Sequence, residues 1–169
     1  MLFQIGEKVV YPNQGIGTIE NISVRSFGAQ TERFYLLKLL YSSMTVMVPF
    51  SHVGNVGLRK VTRNGELARV LLYLSDGTCQ CSQDWKNRYK QNTEKMHVGG
   101  LLQIAEVLKS LLLIQREKPL SFREKKMLDR ARHMLVTELL VSRGLLEHEA
   151  VDMIQGALAR AGLKLPQAM

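Results

Sequence analysis

The residues best equipped for chemistry gather at Asp84-Trp85-Lys86-Asn87-Arg88-Tyr89-Lys90. The tryptophan is the only one in the chain and stands at the expected first turn of a helix, beside Lys86, Arg88 and Lys90. A helix start offers free N–H groups to phosphate, and Lys and Arg neutralise backbone charge. A projecting indole can wedge against or stack on an exposed base. The competing reading makes Trp85 a core anchor joining two modules, with Tyr89, four residues on, sharing its face. Charge distribution bears on the choice: of a formal net charge of +8, the stretch 86–132 holds twelve of 23 Lys and Arg but only five of 15 Asp and Glu. That concentration suits a polyanion, although a solvated helical face would carry the same residues.

The catalytic alternatives are poorly supplied. No Gly-x-Gly-x-x-Gly or phosphate-loop pattern is present. Cys79 and Cys81 are too close for ordinary disulfide geometry and lack a second pair to complete a zinc site, so they read as reduced thiols. His148 sits between Glu147 and Glu149, and adjacent helical residues point in different directions, which argues against a metal. A nucleophilic pair of Cys79 with His97 or His133 has no activating context. The expectation is a non-enzyme without cofactor or metal. The chain opens Met1-Leu2-Phe3-Gln4 without a signal-peptide pattern, and runs such as Leu111-Leu112-Leu113-Ile114 are too short to cross a bilayer. A cytoplasmic monomer without membrane contact is expected.

Two kinds of element would position these groups. The first sixty residues alternate and turn as short strands do: Lys8 to Tyr11, a turn at Pro12-Asn13-Gln14-Gly15, Ile16 to Ile22 with Gly17 marking a bulge or bend, a polar loop from Ser26 to Thr31, Arg33 to Leu39, and Met44 to Pro49. Four or five antiparallel strands of this length make a small half-closed barrel that leaves an edge for a partner strand. Ser51 to Arg59 reads as a connector with one helical turn.

The rest reads as helices. They are expected over Glu66–Leu74, from a Ser82 cap to Met96, over Leu101–Gln115, from a Ser121 cap with Glu124 three residues later to Gly144, and over Glu147–Ala161, with a loose tail from Leu163 to Met169. Leu101–Gln115 is apolar over more than one face, as a central helix would be. The helix after Ser121 should pack through Phe122, Met127 or Leu128, Ala131, Leu135 and Leu139, leaving Arg123, Lys125, Lys126 and Arg130 outward. The expected fold is two modules, 1–60 a small β-barrel and 61–169 a compact bundle of four or five helices.

The pattern Phe3-Gln4-Ile5-Gly6-Glu7-Lys8-Val9-Val10-Tyr11-Pro12-Asn13-Gln14-Gly15-Ile16-Gly17 resembles the CarD/CdnL family of bacterial RNA polymerase-binding regulators. So do Val48-Pro49, Val56-Gly57-Leu58-Arg59, Trp85 to Lys90, and Leu120 to Leu128. Each is weak alone; their order and separation are specific, and they cover nearly the whole chain. The resemblance implies a Tudor-like (SH3-like) first module, related to the polymerase-interacting domain of the transcription-repair coupling factor. That module docks on the β subunit of RNA polymerase by strand pairing. It also implies a helical module that contacts promoter DNA at the upstream edge of the −10 region, without strong sequence specificity, and keeps the open complex from closing. Trp85 occupies the place of the family's wedging tryptophan, and Lys86, Arg88 and Lys90 fall in its DNA-contacting stretch.

Arg25, assigned to the loop after the second strand, matches a position implicated in polymerase contact. Met47 departs from the pattern, since well-known members carry arginine there; an apolar side chain and main-chain pairing from the same strand, Val46 to Val48, are left to make that contact. Localisation through polymerase at the nucleoid follows. The competing function is a protein-interaction adaptor whose helical module binds another regulator rather than DNA.

Overall fold

The computed structural model describes residues 3–12, 14–76 and 85–168. It divides into two compact units, Met1–Val61 and Thr62–Met169, the β part followed by the helical part.

The first unit is built on strands β1 (Lys8–Tyr11), β2 (Gly15–Phe27), β3 (Gln30–Leu39), β4 (Thr45–Pro49) and β5 (Arg59–Lys60). All pairings are antiparallel, in the order β4-β3-β2-β1-β5, so β4 stands at one end of the sheet. Alternation sets the faces. Tyr35, Leu37 and Leu39 of β3 point inward with Ile19 and Val48, and join Phe3, Val9, Val53 and Leu58 in one core. Phe3 meets Tyr35 edge-on and also donates its N–H to the Tyr35 hydroxyl, while Phe50 stacks on Tyr35 from the turn after β4. A 3-10 turn (Phe50–His52) and the short helix α1 (Val53–Val56) make the connector.

Two details of this sheet differ from expectation. The bulge falls between Ile19 and Asn21, not at Gly17. Gly17 is required by close approach: a Cβ there would stand 2.7 Å from Leu37 Cδ1 and 2.9 Å from the Lys38 carbonyl oxygen. The expected polar loop from Ser26 to Thr31 shrinks to Gly28-Ala29, with Gly28 at φ +62°, and Phe27 pairs directly with Gln30. Polar residues suggest a loop, but in a two-stranded ribbon exposed on both faces they satisfy the ladder equally well.

Among its described residues the second unit holds α2 (Asn64–Asp76), α3 (Trp85–Val98), α4 (Leu101–Glu117), α5 (Phe122–Arg143) and α6 (Glu147–Arg160), five helices as the upper expectation has it. Helix α4 is central: it packs on α2, α3 and α5, and Ile104, Ala105, Val107, Leu108 and Leu111 are almost fully buried. Helix α5 begins at the Ser121 cap, whose Oγ accepts from the Glu124 N–H at 3.2 Å, and ends where Gly144 turns left-handed at φ +66°. The Ser82 cap, Cys79 and Cys81 lie outside the described residues.

Two expectations about packing are corrected. Phe122, expected inside, is 66% exposed at the first position of α5; the inward row begins two residues later and runs Glu124, Leu128, Ala131, Leu135. The tail after Gly162 is docked rather than loose: Leu163 and Leu165 are buried, the Leu165 N–H donates to Gln155 Oε1 at 2.7 Å, and Arg132 Nε donates to the Pro166 carbonyl at 2.8 Å. Buried polar groups tie the bundle further. Lys109 of α4 donates to the Tyr73 carbonyl at 2.8 Å, and Glu138 of α5 accepts from the Thr62 N–H at 2.9 Å and from the Thr62 hydroxyl. No helix among the described residues is long and apolar enough to cross a membrane.

Candidate nucleic-acid and polymerase interfaces

Trp85 opens the described part of α3, so the expected aromatic–basic cluster lies on a helix. Lys86 and Lys90 are exposed; Arg88 is not. Among the described side chains of α3, Arg88, Asn92 and Met96 are buried below a tenth of their surface; spaced by four, they form a stripe that faces the bundle. Arg88 was expected outward because charge on a helix usually is. It is turned inward instead, where Nε donates to Glu124 Oε2 at 2.9 Å and Nη2 to Oε1 at 3.1 Å. The two side chains are 6% and 8% exposed.

Such a pair is tolerable inside a protein only when the geometry is good and the remaining lone pairs are satisfied. Glu124 meets that condition: besides the two-pronged bond it accepts from the Ser121 hydroxyl at 3.3 Å, at the start of α5 where the helix dipole favours negative charge. Burial alone would push its carboxyl up. The hydrogen bonds and charge of Arg88, with the Ser121 bonds, outweigh that and hold it below the usual carboxylate range.

The residue after Arg88 and the residue before Glu124 make a second contact, the Arg123 guanidinium lying 4.1 Å from the Tyr89 ring centroid. The described Trp85 end of α3 is thereby joined to the beginning of α5, and their exposed cations belong to one neighbourhood. On α5, Arg123, Lys126 and Arg130 are exposed and spaced by three and four, which puts them along one side of the helix. Lys126 Nζ stands 4.7 Å from the ring centroid of the exposed Phe122. Lys125 is also exposed but lies ~200° around the helix from Arg123, at ~100° per residue, so it is not part of that row. Phe122 was missed as a surface residue because apolar residues are assigned to the core by default. Its position directly after a cap, ahead of the inward row, was the available signal.

In the first unit the expected polymerase-facing residues separate by strand face. Val48 pairs with Tyr35 and is buried in the core; Val46 pairs with Leu37 on that same face and is half-buried. Their side chains serve the core, which leaves only their main chain to offer. Met47 pairs with Leu36 on the opposite face and is half-exposed.

Arg25 lies within β2, opposite Glu32, and not in a loop. Beyond the Phe34–Pro49 pair, where β4 ends, β2 and β3 continue as a two-stranded ribbon carrying exposed Val24, Arg25 and Phe27. By strand alternation Phe27, Arg25, Phe34, Leu36 and Met47 share one sheet face, and the Phe27 and Phe34 rings meet edge-on at 6.2 Å. The side chain at Met47 and the charge at Arg25 thus belong to one surface, next to the end strand.

Among the described residues no three His, Cys, Asp or Glu side chains stand together as a metal group, and His148 is exposed.

Comparison with known proteins covers both units. Residues 3–62 match the family described as CarD-like/TRCF RID domain, and residues 69–155 match CarD, C-terminal domain. The putative transcription factor YdeB of Bacillus subtilis (strain 168) is 37% identical over 148 residues, spanning 88% of this chain and 97% of its own. The CdnLNt structure from Myxococcus xanthus is 39% identical, covering 36% of this chain and 86% of its own length with a TM-score of 0.31. The β part is therefore Tudor-like, and the chain belongs to the CarD/CdnL family of bacterial transcription regulators, non-enzymatic proteins that act through interaction with RNA polymerase.

Proposed function

We propose that this chain tunes transcription initiation with two hands, one holding the polymerase β subunit and the other the upstream fork of the promoter bubble. The holding module is 1–60 and the DNA-facing module 61–169. For the first hand, β4 at the end of the sheet supplies main-chain groups of Val46, Met47 and Val48 for pairing with a partner strand, while Met47 and Arg25 supply side-chain contacts from the adjoining face. For the second, Trp85 wedges at the distorted junction near the −10 region. Lys86, Lys90, Arg123, Lys126 and Arg130 neutralise phosphates around it, and Lys125 adds long-range attraction.

The observation that carries this reading is the union of the Trp85 end of α3 with the basic start of α5 through Arg88–Glu124 and Tyr89–Arg123, in a unit separate from the free strand edge. The tether supplies position, so the DNA hand needs no base-reading code. A monomer acting in the cytoplasm on the polymerase-bound nucleoid is sufficient.

A protein that prefers the open over the closed complex by ~1.4 kcal/mol shifts that equilibrium about tenfold. The test is open-complex lifetime on a promoter whose bubble closes readily, with cognate polymerase and the wild-type chain, Trp85→Ala or Arg25→Glu. The wild type should lengthen the lifetime. Trp85→Ala should lose that effect while still binding polymerase, and Arg25→Glu should bind polymerase less tightly. An unchanged lifetime with every protein, despite polymerase binding, would refute DNA contact and favour an adaptor.

A further inference from the structure

We infer that the buried Arg88–Glu124 pair is a positioning clamp: without touching DNA itself, it fixes the turn of α3 that carries Trp85 and so sets the DNA contacts of Trp85, Lys86 and Lys90. The inference rests on the DNA-facing reading above.

Among the described side chains of α3, the buried apolar anchor is Met96, far from Trp85. The buried row passes from Met96 through Asn92 to Arg88, becoming more polar towards the end that matters. At that end the anchor is a guanidinium fork on a carboxylate, a contact whose two parallel bonds fix orientation as well as distance. The carboxylate is itself fixed by the Ser121 cap. Arg88 follows Trp85 by three residues, within one helical turn, so a guanidinium held on Glu124 restrains the turn that carries Trp85.

The adjacent Tyr89–Arg123 contact pairs consecutive residues of α3 with consecutive residues of α5, which sets rotation and axial register together. The Nε and Nη2 donors of Arg88 are spent on Glu124 and are not presented to phosphate. Preorganising a contact surface in this way lowers the ordering cost of binding.

The two roles open to Arg88 predict opposite responses to Glu124→Gln. If Arg88 were a phosphate contact restrained by Glu124, removing the negative charge would strengthen DNA binding. If it is a clamp, binding weakens. The full-length chain would be titrated into a fluorescein-labelled fork-junction duplex at several salt concentrations. Lys86→Ala and Lys90→Ala serve as reference variants, and the anisotropy of the single tryptophan follows its own turn of α3.

Glu124→Gln should weaken binding about tenfold, leave the slope of log affinity against log salt unchanged, and lower Trp85 anisotropy. Lys86→Ala should reduce that slope by about one. Arg88→Lys keeps charge without the fork and should fall between wild type and Glu124→Gln; it decides the matter if Glu124→Gln does not fold, with unaltered binding then overturning the clamp. Equal or tighter binding by Glu124→Gln would also overturn it. If neither lysine variant weakens binding, the DNA reading itself fails; if they do and Glu124→Gln does not, the clamp alone fails.

Discussion

Replacing Arg88 by Met keeps most of the side-chain volume and removes the charge, leaving the Glu124 side chain in a site where it is 8% exposed. Removing one partner of a buried ion pair costs about 3–5 kcal/mol, against ~0–1 kcal/mol for an exposed pair, because the remaining charge has lost its compensation. In a helical unit of roughly a hundred residues each kcal/mol moves Tm by about 4–8 °C, so a drop on the order of 15 °C or more is expected at pH 7.

The pH dependence gives a second reading of the same perturbation. In the wild type the Glu124 carboxyl is held below its unfolded value, so its contribution to stability is present above that value and is lost as pH falls through the folded one. With Arg88 gone, burial pushes the carboxyl up and only the Ser121 bonds oppose it. The variant then takes up a proton more readily, so its deficit relative to wild type should shrink as pH is lowered towards 4. Thermal and urea unfolding followed by circular dichroism at pH 7 and near pH 4 measures both. A deficit below ~1 kcal/mol at pH 7 would show the pair to be solvated and refute the reasoning. So would a deficit that grows towards pH 4.

Gly17→Ala should cost about 1–3 kcal/mol, read as a lower urea midpoint, since its Cβ would press on Leu37 and on the Lys38 carbonyl. Val48→Ala should lower stability by about 1.5 kcal/mol through lost burial, whereas Met47→Asp should leave unfolding unchanged and weaken polymerase capture about tenfold; the reverse pattern would contradict the assignment of faces. Deleting residues 163–169 should cost at least ~3 kcal/mol, from two buried leucines at about 1.5–3 kcal/mol each, and a truncated chain that melts with the wild type would contradict the docked tail.

The order of elements was legible because local signals agree with the global fold. The apolar run Phe34 to Leu37 marks β3, and Ser121 and Gly144 bracket α5 by cap chemistry that acts within a turn. What escaped the sequence depends on partners distant along the chain. Arg88 finds Glu124 thirty-six residues away, and its polarity argued for the surface. The spacing Arg88, Asn92, Met96 was the one local hint that it faces inward.

The tail reads as loose because a short stretch after a glycine stop has no periodicity of its own. Its order comes from Gln155 and Arg132 on other elements. Arg25 was misplaced for a related reason, since a ribbon of polar residues is held by its ladder and not by an apolar pattern. The polymerase residues Val46 to Val48 could be named as a strand, but which side chain faces outward follows from the pairing of Met47 with Leu36.

Two-handed action is tested most directly by titrating the chain against the same promoter DNA alone and bound to cognate polymerase, at one physiological salt concentration. Binding should be weak and insensitive to sequence on free DNA and at least a hundredfold tighter on the polymerase–promoter complex, as tethering raises effective concentration by about 10²–10⁴. Tight binding to a defined duplex in the absence of polymerase, or equal affinity for both targets, would contradict it.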